Sequence, residues 1–262
     1  MSNYGDLASK TVLITGALGH IGRELSTNFA KYGSSLILLD TGAMIDDVFL
    51  AKLAVHSKVS FVPVDFESTS SRKEAISSVA AEYPQIDVLI NNAAFVGTSN
   101  LGGWTVPFEN QTVDTWNRAL GVNLTTPFEL IQGLIDPLRK SNSASIVNIS
   151  SIYGVIAPDW SIYEGTSMGN PAAYGVSKAG LIQLTKWLAT YLAPDIRANC
   201  VSPGGLYRNQ DPVFVEKYLA KTPLGRMATE SDVVNCVSFL ASEASKYVTG
   251  QNLIVDGGFT IW

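Results

Sequence analysis

The chain has 262 residues, with 18 Lys and Arg against 23 Asp and Glu, and its formal net charge is −5. Hydrophobic residues make up 46% of the chain and charged residues 16%, so one globular domain over residues 1–262 is expected and intrinsic disorder is excluded. The acidic balance argues against nucleic-acid binding, because that binding needs cations that neutralise phosphates.

The sequence shows no leader or membrane signal. The opening residues MSNYGDLASK lack a basic region followed by an apolar stretch, and nowhere do about 18 apolar residues follow one another. We therefore expect a cytoplasmic protein with no membrane partner. Cys200 and Cys236 lie among apolar residues and the chain has 2 His, so no metal site is expected.

Short apolar runs alternate with helical patterns along the chain. Seven strands are predicted, at 11–14, 36–40, 59–64, 87–91, 145–149, 196–201 and 252–255. Helical periodicity is found at 21–31, 70–83, 112–139 and 172–192. The strands are almost continuously apolar, as strands covered on both faces must be. The pattern predicts an α/β fold: a Rossmann-like, doubly wound parallel sheet of about seven strands with helices on both faces.

Two long stretches, 95–111 and 156–171, interrupt this alternation with Gly, Pro, Ser, Asn and aromatic residues. Both follow predicted strands. We therefore expect both to lie over the carboxyl edge of the sheet, where ligands bind in this architecture.

The segment TGALGHIG at 15–22 follows the first strand and opens the first helix. Glycines at such a bend let the backbone approach a pyrophosphate at a helix N-terminus, although an ordinary strand-to-helix turn is the alternative. Asp40 ends the second strand at about the spacing where an acidic residue meets the adenosine ribose hydroxyls. A carboxylate there repels a 2′-phosphate, so NAD is expected rather than NADP. Asp65 is placed to reach the adenine.

Seven motifs occur in order. They are the turn at 15–22, Asn91-Asn92-Ala93, Asn123 in VNL, Ser151 in NISSIYG, Tyr174-x-x-x-Lys178, Ser202-Pro203-Gly204 and Asp256-Gly257-Gly258. In this set the chain resembles the short-chain dehydrogenase/reductase family, in its compact single-domain branch, over residues 11–258. The TGxxGxxG spacing resembles that of the extended branch, but too few residues follow Lys178 for that branch's added domain.

The resemblance implies roles for individual residues. The catalytic set is Asn123, Ser151, Tyr174 and Lys178. The cofactor-binding set is Gly16, Leu18, Gly19, His20, Ile21, Gly22, Asp40, Asp65, Phe66, Asn92, Ala93, Tyr174, Lys178, Pro203 and Gly204. Asn123 would hold a kink and a water that links Lys178 to solvent. The family's Thr on the nicotinamide carboxamide is missing after Gly204, which leaves the orientation of that ring open.

Tyr174 and Lys178 are four residues apart on one predicted helix, so their side chains share a face. We expect the ammonium to favour the phenolate and to make Tyr174 a general acid/base. Ser151, at the end of the fifth strand, would donate a hydrogen bond to the substrate oxygen. Ser150 is the competing candidate, but strand alternation sends it to the opposite face.

The substrate is expected to meet the loop 156–171. The tentative substrate residues are Ser151, Asp159, Trp160, Tyr163, Glu164, Tyr174 and Arg208. Aromatic faces beside carboxylates suit a sugar, and Arg208, Lys217 and Lys221 would hold a phosphate, so a sugar phosphate or nucleotide sugar is the hypothesis. Trp104 and Phe108 would complete the pocket. The alternative for this loop is packing against the protein or a neighbouring subunit.

The favoured function is that of an NAD(H)-dependent oxidoreductase that interconverts a secondary alcohol and a ketone. The overall look is similar to reductases of surface-glycan and legionaminic-acid-type pathways. Two alternatives are a carbonyl or 3-oxoacyl-type reductase of a less polar substrate and a non-catalytic NAD-binding scaffold. The helices at 112–139 and 172–192 are apolar on more than one side, so a homodimer or homotetramer is expected.

Overall fold

A computed structural model describes residues 4–96 and 101–262 of the chain. Its seven strands form one parallel sheet in the order β3-β2-β1-β4-β5-β6-β7. The strands are β1 (Thr11–Thr15), β2 (Ser35–Asp40), β3 (Val59–Pro63), β4 (Val88–Asn91), β5 (Ala144–Ile149), β6 (Ile196–Pro203) and β7 (Asn252–Val255). The expected doubly wound sheet is confirmed, and each predicted strand lies within two residues of its observed bounds.

Nine α-helices connect and cover the strands in the described part of the chain. They are α1 (His20–Lys31), α2 (Asp47–Ala54), α3 (Thr69–Glu82), α4 (Val113–Leu120), α5 (Thr126–Gly133), α6 (Ile135–Arg139), α7 (Ala172–Leu192), α8 (Pro212–Ala220) and α9 (Glu230–Ala241). The predicted helix 172–192 is confirmed as α7. The predicted helix 112–139 is wrong as one helix, because a π-helical turn at Gly121–Thr125 separates α4 from α5 and Leu134 separates α5 from α6.

The side chains of successive strand residues point to opposite faces of the sheet and pack in two separate hydrophobic cores. Leu13 packs with Leu89 and the side chains of the helices on one face, whereas Val12 and Ile14 pack with α1 and α9 on the other. The interior strands β4 and β5 are buried at every position, while the edge strands β3 and β7 are only partly buried. This burial on both faces explains the uninterrupted apolar runs in the sequence.

The chain direction across the sheet reverses between β1 and β4. From β1 the connections run outward through β2 to β3, and the chain then returns to place β4 on the other side of β1. A crevice opens at such a switch point, beyond the carboxyl ends of the strands, and ligands bind there. The segments that follow β1, β4, β5 and β6 all begin at this edge.

Two findings concern membranes and metals. Among the described residues, none of the helices combines the length and the apolar character that crossing a bilayer requires. Residues 4–96 and 101–262 likewise contain no group of three or more His, Cys, Asp or Glu side chains that would hold a metal ion. The predicted long loop 95–111 is described at 95–96 and 101–111, and its residues 97–100 lie outside the described part.

Candidate active site

The turn after β1 has no room for side chains. Gly16 has φ +62°, and a Cβ atom on it would lie 2.8 Å from the Cα of Ala93. A Cβ on Gly22 would lie 2.0 Å from the carbonyl oxygen of Gly16. Helix α1 begins at His20 directly after Gly19, so its first N–H groups face the crevice end of the sheet. The turn therefore presents bare backbone at a helix N-terminus, as an anionic pyrophosphate requires.

The end of β4 is fastened to this turn. The Thr15 hydroxyl accepts hydrogen bonds from the backbone N–H groups of Asn92 and Ala93, both at 3.0 Å. The Asn92 amide in turn donates to the carbonyl oxygens of Thr15 and Gly16, also at 3.0 Å. Asn92 and Ala93 thus hold the two sides of the switch point in a fixed geometry.

A carboxylate marks the end of β2. Asp40 is 9% exposed and accepts hydrogen bonds from the N–H groups of Leu18 (2.7 Å) and Thr41 (2.8 Å). Arg23, which no motif in the sequence indicated, lies beside the turn and donates to the Leu18 carbonyl oxygen. Its guanidinium forms an ion pair with Asp46 at 2.8 Å. The positive charge of Arg23 is therefore balanced by Asp46, and the Asp40 carboxylate makes the net charge at the end of β2 negative.

The other predicted cofactor residues lie along the same edge. Asp65 is exposed just beyond β3, and the neighbouring Phe66 is buried. His20 and Ile21 open α1, and Pro203 ends β6. Gly204 follows it in a tight site, where a Cβ would lie 2.8 Å from the Tyr218 hydroxyl. These residues come from three separate segments of the chain, each at the carboxyl end of a strand or at the start of α1.

Ser151, Tyr174 and Lys178 come together from β5 and α7. Ser151 follows β5, is 7% exposed, accepts a hydrogen bond from the N–H of Tyr153 and lies near enough to the Tyr174 phenol to lower its pKa. The Lys178 ammonium is 5.9 Å from the centroid of the Tyr174 ring and donates to the Ile149 carbonyl oxygen at 2.9 Å. Ser150 faces away and donates to the Lys178 carbonyl oxygen. The strand therefore directs Ser151, and not Ser150, toward the phenol.

The protonation behaviour of this pair differs from the sequence-based expectation. Burial raises the pKa of Tyr174, and the nearby Ser151 hydroxyl only partly opposes that rise. Burial also lowers the pKa of Lys178 from 10.5 to about 8. The expected acidification of the phenol by the ammonium is thus absent in the protein alone, because burial is the dominant influence on the pKa of Tyr174. Tyr174 is a neutral phenol at pH 7 and is ready to donate a proton.

Asn123 lies in the π-helical turn between α4 and α5 and is completely buried. Its side-chain oxygen accepts from the N–H of Phe95 at 2.6 Å, and its amide donates to the Phe95 carbonyl oxygen and to the Ser177 hydroxyl. The kink expected at Asn123 is therefore present. Because Ser177 precedes Lys178, Asn123 also ties the segment after β4 to the helix that carries the catalytic pair.

A cavity of about 440 Å³ lies over Ser151 and Tyr174; we call it the inner cavity. Trp104, Tyr163 and Arg208, three of the residues predicted around the substrate, line it. Five further lining residues were not predicted from the sequence: Tyr153, Asn170, Gln210, Phe214 and Tyr218. The only signal for them was their position beside Ser151, before α7 or after Gly204. The Tyr153 and Tyr163 hydroxyls bond each other at 2.5 Å, and burial raises the pKa of both phenols.

The predicted charged contacts face away from the inner cavity. Asp159 forms an ion pair with Lys221, and Lys217 donates at 2.8 Å to the carbonyl oxygens of Ser161 and Glu164. Asp159 and Glu164 do not line the cavity. Arg208 does, but its guanidinium is paired with Glu230 at 2.7 Å. The loop 156–171 therefore packs its charged contacts against α8, while Tyr163 and residues 168–171 line the inner cavity.

These residues fit a nicotinamide dinucleotide. The glycine turn accepts backbone contact with a pyrophosphate, and Asp40 suits a ribose diol. The Lys178 ammonium has three donors, and the described residues accept only one of them, at Ile149, so the others suit a second pair of ribose hydroxyls. When bound, such a cofactor supplies the hydride acceptor or donor. The chain would then supply the proton at the Tyr174 hydroxyl and a hydrogen bond from Ser151.

Comparisons with known proteins agree with this arrangement. The family model described as enoyl-(acyl carrier protein) reductase matches residues 16–260. The chain is 35% identical to 7alpha-hydroxysteroid dehydrogenase of Bacteroides fragilis, over 97% of the chain and 95% of that protein. It is 32% identical to a 3-oxoacyl-(acyl-carrier-protein) reductase of Thermotoga maritima, over 97% and 99%.

A solved structure gives the same result at the level of the fold. The short-chain dehydrogenase of Leptospira borgpetersenii, crystallised with bound NAD+, superposes with a TM-score of 0.85. It is 38% identical in sequence, and the match covers 99% of this chain and 96% of that one. The similarity therefore extends over the whole Rossmann-like sheet and the crevice described above.

Proposed function

The chain belongs to the short-chain dehydrogenase/reductase family, and from that premise we propose that it interconverts a secondary alcohol and a ketone on an uncharged ring, with NAD(H) as cofactor. That it is an oxidoreductase acting on CH–OH groups follows from the family. The substrate class, the choice of NAD and the roles of single residues are the proposal. The observation that carries it is the presence of Ser151 and Tyr174 in the lining of the inner cavity, with the Lys178 ammonium 5.9 Å from the centroid of the Tyr174 ring.

The proposed roles follow from this geometry. Ser151 holds the substrate oxygen, and Tyr174 gives a proton to that oxygen in ketone reduction or takes one in alcohol oxidation. Lys178 keeps its positive charge near the phenol, which favours the phenolate once the proton has left. Asn123 positions the start of this relay by anchoring Ser177. A non-catalytic scaffold is not retained, because the complete catalytic set is present.

The preference for NAD over NADP rests on charge. Asp40 is the charged group at the end of β2, and the nearby Arg23 is neutralised by Asp46. A 2′-phosphate would meet a carboxylate there without a compensating cation. The NAD+ bound to the similar Leptospira protein supports the same choice.

The choice of an uncharged ring rests on the lining of the inner cavity. Arg208 is its only charged lining residue among those described, and Glu230 already balances that charge. Lys217 and Lys221, the cations expected to hold a phosphate, are bound to the loop 156–171. Aromatic side chains form much of the wall, which suits the faces of a ring. The cations that would bind the phosphate of a sugar phosphate or nucleotide sugar are therefore engaged elsewhere, whereas the aromatic wall still suits a neutral sugar-like ring.

The second candidate is the reductase of a less polar substrate. It is favoured by the apolar side chains at the cavity wall, which are Ile152, Leu206, Phe214 and Met227. It is also favoured by the relative named for a hydroxysteroid, because a hydroxysteroid is an apolar molecule with an alcohol on a ring. A panel of cyclitols, neutral sugars, hydroxysteroids, cyclic alcohols, sugar phosphates and acyl thioesters separates the two. The rate of NAD+ or NADP+ reduction, or of NADH oxidation, is measured for each compound. Turnover confined to the charged compounds would overturn the proposal.

The assembly and location predicted from the sequence stay proposals as well. Val113 on α4 and the stacked rings of Trp187 and Tyr191 on α7 are exposed, which supports pairing of these helices between subunits. Sedimentation of the purified protein should give a dimer or tetramer rather than a single 28.1 kDa species. A cytoplasmic location is proposed on the same footing and is tested by fractionation.

A further inference from the structure

A second cavity of about 580 Å³ lies beside the inner one; we call it the outer cavity. It is formed by the loop residues 105–111 and by residues 158–172, which lead into α7. The two cavities share one wall, made by Thr105 and residues 168–171. The sequence-predicted aromatics divide between them, with Trp104 on the inner cavity and Trp160 and Phe108 on the outer one. The two cavities are therefore adjacent, with the outer one on the far side of the residues that border the space over Ser151.

The outer cavity is lined by exposed aromatic rings and uncharged polar groups. Phe108 is 79% exposed and Trp160 is 60% exposed, which is unusual for side chains of this size. The hydroxyls of Thr105 and Ser167 have no protein hydrogen-bond partner within residues 4–96 and 101–262. None of the lining residues in this described part carries a charge. A charged group would lose hydration there without gaining a counter-ion.

The aromatic platform is already in place before a ligand arrives. The Trp160 ring packs against the Tyr163 ring, with centroids 5.9 Å apart. Asp159 caps the turn that carries Trp160, and Lys217 and Lys221 bind this turn to α8. A preformed surface costs little ordering on binding, so that contact with it contributes more fully to affinity.

We propose that the outer cavity is a subsite for a second uncharged, hydroxyl-bearing ring, joined to the ring that is oxidised or reduced. This inference deepens the proposed function and rests on it for the position of the reacting ring. The aromatic faces of Trp160 and Phe108 cover the C–H face of such a ring, while the hydroxyls of Thr105 and Ser167 bond its hydroxyls. An alkyl chain would leave those hydroxyls unused. The loop 156–171 thereby selects a two-ring substrate.

Binding to the NADH complex tests the subsite without any turnover, because an alcohol cannot pass a hydride to a cofactor that is already reduced. The probes are methyl β-glucoside, with one ring, and methyl β-cellobioside, with two. We expect the two-ring probe to bind about tenfold more tightly, a gain that one ring–aromatic contact supplies. Trp160→Ala should abolish that gain and leave the affinity for the one-ring probe unchanged. Tyr247→Ala, at a fully exposed tyrosine elsewhere, is the matched control.

A second variant tests whether the ligand extends from one cavity to the other, and a third probe tests whether the outer cavity requires a ring. Gly169 belongs to the shared wall, and a Cβ on it would lie 3.8 Å from the Cβ of Thr105, so Gly169→Leu should obstruct the passage between the cavities. This variant should lose the two-ring gain as well. Equal affinity for the two glycosides, no binding of either, or an undiminished gain in Trp160→Ala would overturn the inference. The third probe is octyl β-glucoside, which has one ring and an alkyl chain. If it bound as much more tightly than methyl β-glucoside as the two-ring probe does, and if Trp160→Ala removed that gain, the subsite would not be specific for a second ring.

The same data separate this inference from the proposed function. Failure of the proposed function appears as an absence of cofactor-dependent turnover across the alcohol and ketone panel, whereas the subsite is measured from dissociation constants alone. A two-ring gain without turnover supports the subsite and removes the reaction. Turnover of single-ring alcohols without a two-ring gain supports the reaction and removes the subsite.

Discussion

The buried ammonium of Lys178 should make the stability of the cofactor-free protein rise with pH. Lys178 is 2% exposed, and burial lowers its pKa from 10.5 to about 8. Between these values the unfolded chain holds the proton and the folded chain does not, so the free energy of unfolding increases as the pH rises. Below the folded-state value both states are protonated, and the full cost of burying the charge is present.

The size of the effect follows from the two pKa values. From about pH 7 to about pH 9.5, the difference in proton binding integrates to roughly 2 kcal/mol of added stability. At higher pH the buried tyrosines oppose this rise, because the pKa of Tyr174 is raised and its phenol stays protonated while the unfolded chain ionises. The buried Cys200 thiol also opposes the rise, because burial raises its pKa to about 12 and it stays protonated while the unfolded chain ionises. The contribution of Lys178 is therefore the difference in pH dependence between the wild type and a variant that lacks the ammonium.

Lys178→Met tests this reasoning, since methionine has a similar volume and no charge. Removing the ammonium also leaves the Ile149 carbonyl oxygen without its donor, at a cost of about 1–3 kcal/mol that does not depend on pH. The informative quantity is thus the pH dependence of unfolding and not the stability at one pH. Urea unfolding is followed by tryptophan fluorescence across the range for both proteins. Lys186→Met, at an exposed position of the same helix, is the control and should keep the wild-type dependence.

The result that would refute the account is a Lys178→Met protein whose stability rises with pH as steeply as that of the wild type. The rise would then come from other groups. Lys178 would have an ordinary pKa, and the desolvated ammonium beside Tyr174 would not exist in solution.

Three further predictions concern the crevice and its loop. Asp40→Asn should raise the ratio of NADP to NAD in kcat/KM by about tenfold, because it removes a like-charge contact with the 2′-phosphate; Asp47→Asn, on the following helix, is the control, and an unchanged ratio would contradict the charge argument. Gly16→Ala should cost about 1–3 kcal/mol of stability and abolish NADH binding, because the φ of Gly16 is +62° and Ala93 leaves no room for a Cβ. The control Gly102→Ala has open space around the new Cβ and should change neither the free energy of unfolding in urea nor the affinity in NADH titration. Lys221→Met should lower the free energy of unfolding by less than about 1 kcal/mol, because both side chains of its ion pair with Asp159 are partly exposed. The variant should nevertheless be cleaved faster by protease within 156–171, and an unchanged cleavage rate would show that the pair does not hold the loop.

The fold was predictable because parallel strands buried on both faces leave apolar runs in the sequence. The strand at 252–255 was predicted with the bounds that the structure has. The helix 112–139 could not be predicted correctly, because the π-helical turn that interrupts it depends on tertiary contacts of Asn123 with Phe95 and Ser177. Its hydrophobic periodicity continues across the break and does not register it.

The site was predictable where motif residues are adjacent to strand ends, and not where partners are distant. Asp159 was interpreted as a substrate contact, but its partner Lys221 lies 62 residues further along the chain and turns it toward α8. The direction of the Tyr174 pKa shift was wrong for a similar reason. Spacing reveals the neighbouring ammonium, whereas the burial that outweighs it arises only in the folded protein.

The most direct test of the central claim is the turnover number of Tyr174→Phe on the best substrate of the panel. In the proposed mechanism the Tyr174 hydroxyl exchanges the proton with the substrate oxygen, and a phenylalanine keeps the ring in place. We predict that kcat falls by about 10²- to 10⁴-fold while the dissociation constant of NADH stays the same. An undiminished kcat with a correctly folded variant would contradict the account.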